Sequence, residues 1–137
     1  MTNTSMTPLE IAQQRIDECR ETRSAELDLS QLGLDVIPDE VFELTWLERL
    51  DVSENFHRKQ KCGNIKEIPP AIKQLTALSF FNCSNNRISD LTSLNGLPAL
   101  TTLDCRDNQI RDLAPLNGLT ALVKLICRAN RINDLRD

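Results

Sequence analysis

Five cysteines, a single histidine and a recurring aspartate are the residues that could do chemistry in this 137-residue chain. Thiols with an imidazole suggest either a metal centre or a nucleophile with its base. His57 and Cys62 do share one polar stretch, but zinc takes three or four ligands and the chain holds no second histidine. No metal site is predicted. A Ser or Cys nucleophile would need His57 as its base, and a histidine in a loop has no rigid geometry for proton transfer. The four glycines, at 33, 63, 96 and 118, are scattered and none precedes a lysine. Neither a phosphate loop nor a dinucleotide fingerprint is therefore present. Asp90, Asp112 and Asp134 recur at one constant interval. A short carboxylate in that place is read as the cap of a following turn, with an acidic cation site as the alternative. The expectation is a protein that is not an enzyme and uses no cofactor.

The same interval governs the cysteines. Cys83, Cys105 and Cys127 are evenly spaced in the same way, and a free cysteine behaves as a small buried apolar residue. Three thiols in a row cannot pair evenly. The start, Met-Thr-Asn-Thr-Ser-Met-Thr-Pro, has neither the basic nor the apolar region of an export signal. Reduced thiols and a cytoplasmic location are expected. Such regular spacing directs attention from chemistry to the elements that repeat. The chain has 21 Leu, one Trp and no Tyr, and a core built from one residue type implies a repeating unit. Leu75, Leu78, Phe81, Cys83, Asn86, Ile88, Leu91 and Leu94 form one string. Leu97, Leu100, Leu103, Cys105, Asn108, Ile110, Leu113 and Leu116 form the next, and Leu119, Leu122, Leu125, Cys127, Asn130, Ile132 and Leu135 the last. Leu44, Leu47, Leu50, Val52 and Asn55 match backwards, as do Leu27, Leu29, Leu34 and Ile37, with Leu32 in the Asn position.

This LxxLxLxxNxL pattern resembles leucine-rich repeats. Alternation such as Leu100-x-x-Leu103-x-Cys105 predicts a short strand with one face inward, and stacking of successive units predicts a parallel sheet. The predicted fold is α/β: a right-handed leucine-rich-repeat solenoid of five repeats, with a short parallel concave sheet and an N-terminal capping helix. Asn55, Asn86, Asn108 and Asn130 are expected to form an internal ladder that satisfies bare backbone groups. Ile37-Pro38 and Ile68-Pro69 resemble the bacterial type of repeat. Asn95-Gly96 and Asn117-Gly118 mark convex turns in the shorter units. Two parts are delimited: residues 1–23, with a helix from 8 to about 22, and residues 24–137, the solenoid. Thr7-Pro8-Leu9-Glu10 is a capping box, Met6 and Ile11 occupy hydrophobic-staple positions, and Leu9, Ala12, Ile16 and Cys19 form the apolar stripe. About eight residues, 57–64, are inserted in the second unit. The fifth unit stops after Leu135, so an incomplete C-terminal end is expected.

With core positions assigned, the residues between them define a surface. The outward sets are Glu26, Asp28 and Ser30, then Arg49, Asp51 and Ser53, then Phe80, Asn82 and Ser84, then Thr102, Asp104 and Arg106, and finally Lys124, Ile126 and Arg128. Charge grades from acidic to basic along this series, with Arg87 and Arg131 near the basic end. An aromatic beside arginine on a rigid face has the composition of an interface anchor. Arg49, Phe80, Asn82, Thr102, Asp104, Arg106, Lys124, Ile126 and Arg128 are the predicted concave partner-binding residues. His57, Arg58, Lys59 and Lys61 form a second candidate contact, because loops on rigid scaffolds often carry function. A net charge of −4 disfavours a nucleic-acid partner. No apolar run approaches the roughly 20 residues that span a bilayer. The expected partner is a protein, with association through the open C-terminal end as a further possibility.

Ile11 to Cys19, then Ser24-Ala25-Glu26-Leu27-Asp28-Leu29-Ser30-Gln31-Leu32-Gly33-Leu34 and Ile37-Pro38, resemble the N-terminal repeat region of bacterial Roco proteins. In that family the repeats precede a Ras-like GTPase domain, whose motifs are absent from these residues. The resemblance implies a regulatory or partner-binding module of a larger signalling protein. Secreted bacterial effectors and internalin-like adhesion repeats open similarly, and a self-associating structural module is a third reading.

Overall fold

The computed structural model describes residues 5–55 and 63–132. His57, Arg58, Lys59, Lys61 and Cys62, the aspartate at 134 and the chain end lie outside the described residues.

Helix α1 runs from Pro8 to Thr22. Thr7 Oγ1 accepts the Glu10 amide at 3.1 Å and the Thr7 amide donates to Glu10 Oε1 at 2.8 Å, so each satisfies a group the first turn leaves bare. Ala12, Ile16 and Cys19 are buried against the first coil, but Leu9 is 57% exposed and Met6 43%. The stripe is thus one residue shorter than expected, because the helix overhangs the coil at its first turn. Arg23, at φ 55°, ends the helix, and its guanidinium lies 3.8 Å from the Trp46 ring centroid. Arg15 Nη1 donates to the Asp28 carbonyl at 2.8 Å, covering a backbone group on the sheet edge that would otherwise invite pairing. Thr7→Ala should lower stability by about 1 kcal/mol, measured by urea unfolding followed by circular dichroism. A change confined to the noise would mean that the helix contributes nothing to the cooperative unit.

Five three-residue strands follow: β1 (Glu26–Asp28), β2 (Arg49–Asp51), β3 (Phe80–Asn82), β4 (Thr102–Asp104) and β5 (Lys124–Ile126). They form one parallel sheet in chain order. Leu27, Leu50, Phe81, Leu103 and Leu125 stand in register across it, as the interval predicts. Short 3-10 helices at Asp39–Glu43, Pro70–Gln74, Thr92–Leu94 and Ala114–Gly118 carry the return path of each coil. The core is a column of fully buried side chains between these two layers, including Leu50, Phe81, Leu100 and Leu103. Asp90 and Asp112 start two of the returns: Asp90 Oδ1 accepts from the Thr92 amide and hydroxyl, and Asp112 Oδ1 from the Ala114 amide. The Thr92 bonds hold the Asp90 carboxyl below its ordinary range.

The asparagine ladder has three rungs among the described residues. Asn86 Nδ2 donates to the Val52 and Cys83 carbonyls and Oδ1 accepts the Ile65 amide. Asn108 repeats this with Cys83, Cys105 and Ile88, and Asn130 with Cys105, Cys127 and Ile110. Asn55 does not join them. Its side chain is exposed and its amide donates to Gln31 Oε1 at 2.9 Å. The insertion beginning just after it separates Asn55 from the rest of its turn. Glu54 Oε2 takes over part of the task by accepting the Gly33 amide at 2.7 Å. The chain returns at Gly63, whose amide donates to the Asn85 carbonyl. A Cβ there would run into Asn86 Oδ1 and Glu54 Cγ, so this re-entry requires glycine.

Candidate protein-binding surface

Side chains on the solvent face of the sheet fall into rows set by the register. Glu26, Arg49, Phe80, Thr102 and Lys124 form one row, and Asp28, Asp51, Asn82, Asp104 and Ile126 the next. Seven of the nine concave residues singled out from the sequence are therefore brought onto one face, while Arg106 and Arg128 lie two residues past the ends of β4 and β5. Arg49, Lys124 and Arg128 are exposed or nearly so; Phe80, Asn82, Thr102, Arg106 and Ile126 are half-buried. Asp104 is buried, at 6% exposure, with Arg106 Nε at 3.5 Å.

Phe80 does not stand alone. The Arg49 guanidinium lies 3.9 Å from its ring centroid, a stack that orders both side chains and leaves the cation beside an apolar surface. Phe80 and Arg49 are far apart in sequence yet direct neighbours across β2 and β3. Glu26, Asp28, Asp51 and this pair line a shallow cavity of about 160 Å3. A wider groove of about 410 Å3 continues from Glu26 and Asp28 to Arg15 and Glu18 on α1.

The second row has a task that the outward assignment did not foresee. Asp28 Oδ1 accepts from the Ser30 amide and hydroxyl, Asp51 Oδ1 from those of Ser53, Asn82 Oδ1 from the Ser84 amide and Asp104 Oδ1 from the Arg106 amide. Each side chain folds the chain out of its strand by binding two residues ahead. The signal was visible as Asp-x-Ser, twice, and Asn-x-Ser. Asn82 and Asp104 thus serve the scaffold first, whereas Phe80, Arg49, Lys124 and Arg128 are the side chains with surface to offer.

Behind the sheet lie Cys83, Cys105 and Cys127, while Cys19 is on α1. Cys19, Cys83, Cys105 and Cys127 are free thiols, with Cys83 and Cys105 fully buried. Among the described residues no three His, Cys, Asp or Glu side chains are placed to hold a metal ion. Burial pushes the Cys105 thiol up to about 12, with Cys127 and Asp104 adding to the effect, and burial likewise pushes Cys83 well above the ordinary thiol value. The folded state therefore favours the neutral thiols. Their contribution is complete below the unfolded value of about 8.5 and is lost as pH rises toward 12. Cys83→Val with Cys105→Val should flatten the decline in stability between those limits, read from urea midpoints. Val already occupies this position at Val52. An unchanged slope would exclude the cysteines as its source.

The stacked parallel sheet, its 3-10 returns and the asparagine ladder are those of a leucine-rich-repeat fold. A sequence profile described as leucine-rich repeats in two copies matches residues 98–137, the fourth and fifth coils. No curated protein matches the chain. Among solved structures, the leucine-rich-repeat domain of APL1B aligns with a TM-score of 0.67 at 18% identity, covering 98% of this chain and 38% of its own. A leucine-rich-repeat protein of Leptospira interrogans aligns at 0.63 and 19%, covering 94% and 36%. An internalin of Listeria monocytogenes aligns at 0.55 and 21%, covering 73% and 34%. The chain spans about a third of the length of these structures, and at these identities the likeness is one of fold. Leucine-rich-repeat domains are typically non-catalytic modules that bind proteins. No helix among the described residues is long and apolar enough to cross a membrane.

Proposed function

We propose that the chain is a protein-interaction scaffold whose concave sheet is the contact surface, with Phe80 at its centre. The Arg49–Phe80 stack carries this reading: a half-buried aromatic, held by a cation, stands on the middle strand of a rigid five-stranded face. Aromatic and arginine side chains dominate binding energy when they sit centrally and can be desolvated. Arg49, Thr102, Arg106, Lys124, Ile126 and Arg128 surround the anchor and would supply its polar rim. Asn82 and Asp104 would keep the strand exits fixed. Within this reading the module serves a larger signalling protein in the cytoplasm, as the resemblance of residues 11–38 to bacterial Roco repeats implies. The 57–61 stretch is a secondary contact.

A photo-crosslinking amino acid placed at position 102, on the sheet face, should capture the protein partner. The same group at position 117, on the convex return, should not. In the isolated pair, Phe80→Ala should weaken binding by about 2 kcal/mol. Capture from position 117 alone, or an affinity indifferent to Phe80, would move the site off the concave face.

A further inference from the structure

The charges on the concave face are sorted by strand. Across β1 and β2 the outward residues are three carboxylates, Glu26, Asp28 and Asp51, and one cation, Arg49. From β4 onward the balance is mirrored: Arg106, Lys124 and Arg128 accompany one carboxylate, Asp104, which is already tied to Arg106. Between the two poles lies β3, whose outward side chains are Phe80 and Asn82. The strand caps of Asp28 and Asp51 use Oδ1, and a carboxylate has acceptor sites on both oxygens. Lys124 and Arg128 make no ion pair among the described residues.

We infer that this face selects an extended protein segment with a basic residue, an apolar residue and an acidic residue at alternate positions, laid across the strands. This inference rests on the concave reading above and specifies its partner. The spacing across the strands fits this pattern. Adjacent strands are about 4.8 Å apart, so the two poles are separated by two to four spacings, about 10 to 19 Å. Side chains on one face of an extended segment recur every ~6.8 Å. Measured across the strands, a basic residue between Asp28 and Asp51 therefore brings the side chain two positions on to the level of β3, where Phe80 stands one row away along the strand. The one four positions on, at twice that repeat, comes within reach of Arg106 and Lys124. A nucleic acid would set its uniform negative charge against the β1–β2 pole. A uniformly basic segment would meet repulsion at the opposite one. Selection by both attraction and repulsion is how charged interfaces discriminate.

The test is a displayed library of random dodecapeptides, panned on the full chain with Phe80→Ala as the counter-selected control. Enriched sequences should carry opposite charges four positions apart, flanking an apolar residue. The double variant Lys124→Glu, Arg128→Glu alters two side chains outside the core. It should shift enrichment to peptides basic at both ends and weaken a wild-type-selected synthetic peptide about tenfold, equivalent to about 1.4 kcal/mol. Phe80-dependent peptides with no such charge order would overturn the bipolar segment and leave the concave site standing. Binders indifferent to Phe80, or no enrichment over that control, would overturn both. Preferential capture of a single-stranded oligonucleotide by the wild-type chain would likewise defeat the inference.

Discussion

Phe81→Ala is expected to destabilise the chain by about 4 kcal/mol, while Phe80→Ala, one residue away, should cost well under half of that. Phe81 is 0% exposed and stands between Leu50 and Leu103 in the core column. Its removal strips a large apolar volume from a column whose neighbours, Leu50 and Leu103, are held in place by the sheet register. Phe80 points to the opposite face and loses only its stack with Arg49. Urea unfolding of the two variants side by side measures the difference. Equal losses would contradict the register, because a one-residue slip exchanges the two faces of every strand.

Asn108→Ala should cost about 3 kcal/mol, the second-largest effect. Asn108 is buried at 7% exposure, and its side chain serves the Cys83, Cys105 and Arg106 carbonyls and the Ile88 amide. Truncation leaves the buried Ile88 amide without a partner, at about 1 to 3 kcal/mol for a buried polar group, and takes one of two donors from the Cys83, Cys105 and Arg106 carbonyls, which keep Asn86, Asn130 and the Asn85 amide. Because the bonds tie adjacent coils, the variant should also unfold less cooperatively, with a smaller denaturant slope. Stability indistinguishable from wild type would imply that another group or a water takes over, and the ladder would lose its structural role.

Most of the fold was legible because one constant interval places strand, turn and return at fixed offsets. Leu75, Leu97 and Leu119 alone set the register of β3, β4 and β5. Legibility failed where the interval did. Asn55 carries the right residue at the right offset, yet the insertion after it separates it from the rest of its turn, and Glu54 with Gln31 fills the gap. Leu9 misled for a different reason: helical spacing defines a stripe but not how far the underlying coil extends. On the concave face, the rows followed from the register, and with them the adjacency of Arg49 and Phe80. Stacking of one upon the other depends on rotamers, which no spacing encodes. The strand caps of Asp28, Asp51, Asn82 and Asp104 were written plainly in two-residue spacings, but a carboxylate that faces outward reads as surface until its partner amide is seen.

The ladder has a direction. Main-chain bonds between neighbouring coils run both ways: Cys83 donates to Asp104, and Thr102 donates back to Ser79. Between coils the asparagines reach only backward, Asn86 to Val52 and Ile65, Asn108 to Cys83 and Ile88, Asn130 to Cys105 and Ile110. The second, third and fourth coils are thus each locked by the one translated after it. During synthesis a coil emerging from the ribosome can pair its strand at once, but its turn stays unlatched until the next asparagine has been made. A lesion at one rung is inherited by the coil before it and spares the coil after it. Amide exchange at Ile88, rather than at Ile110, is where a missing Asn108 should first be heard.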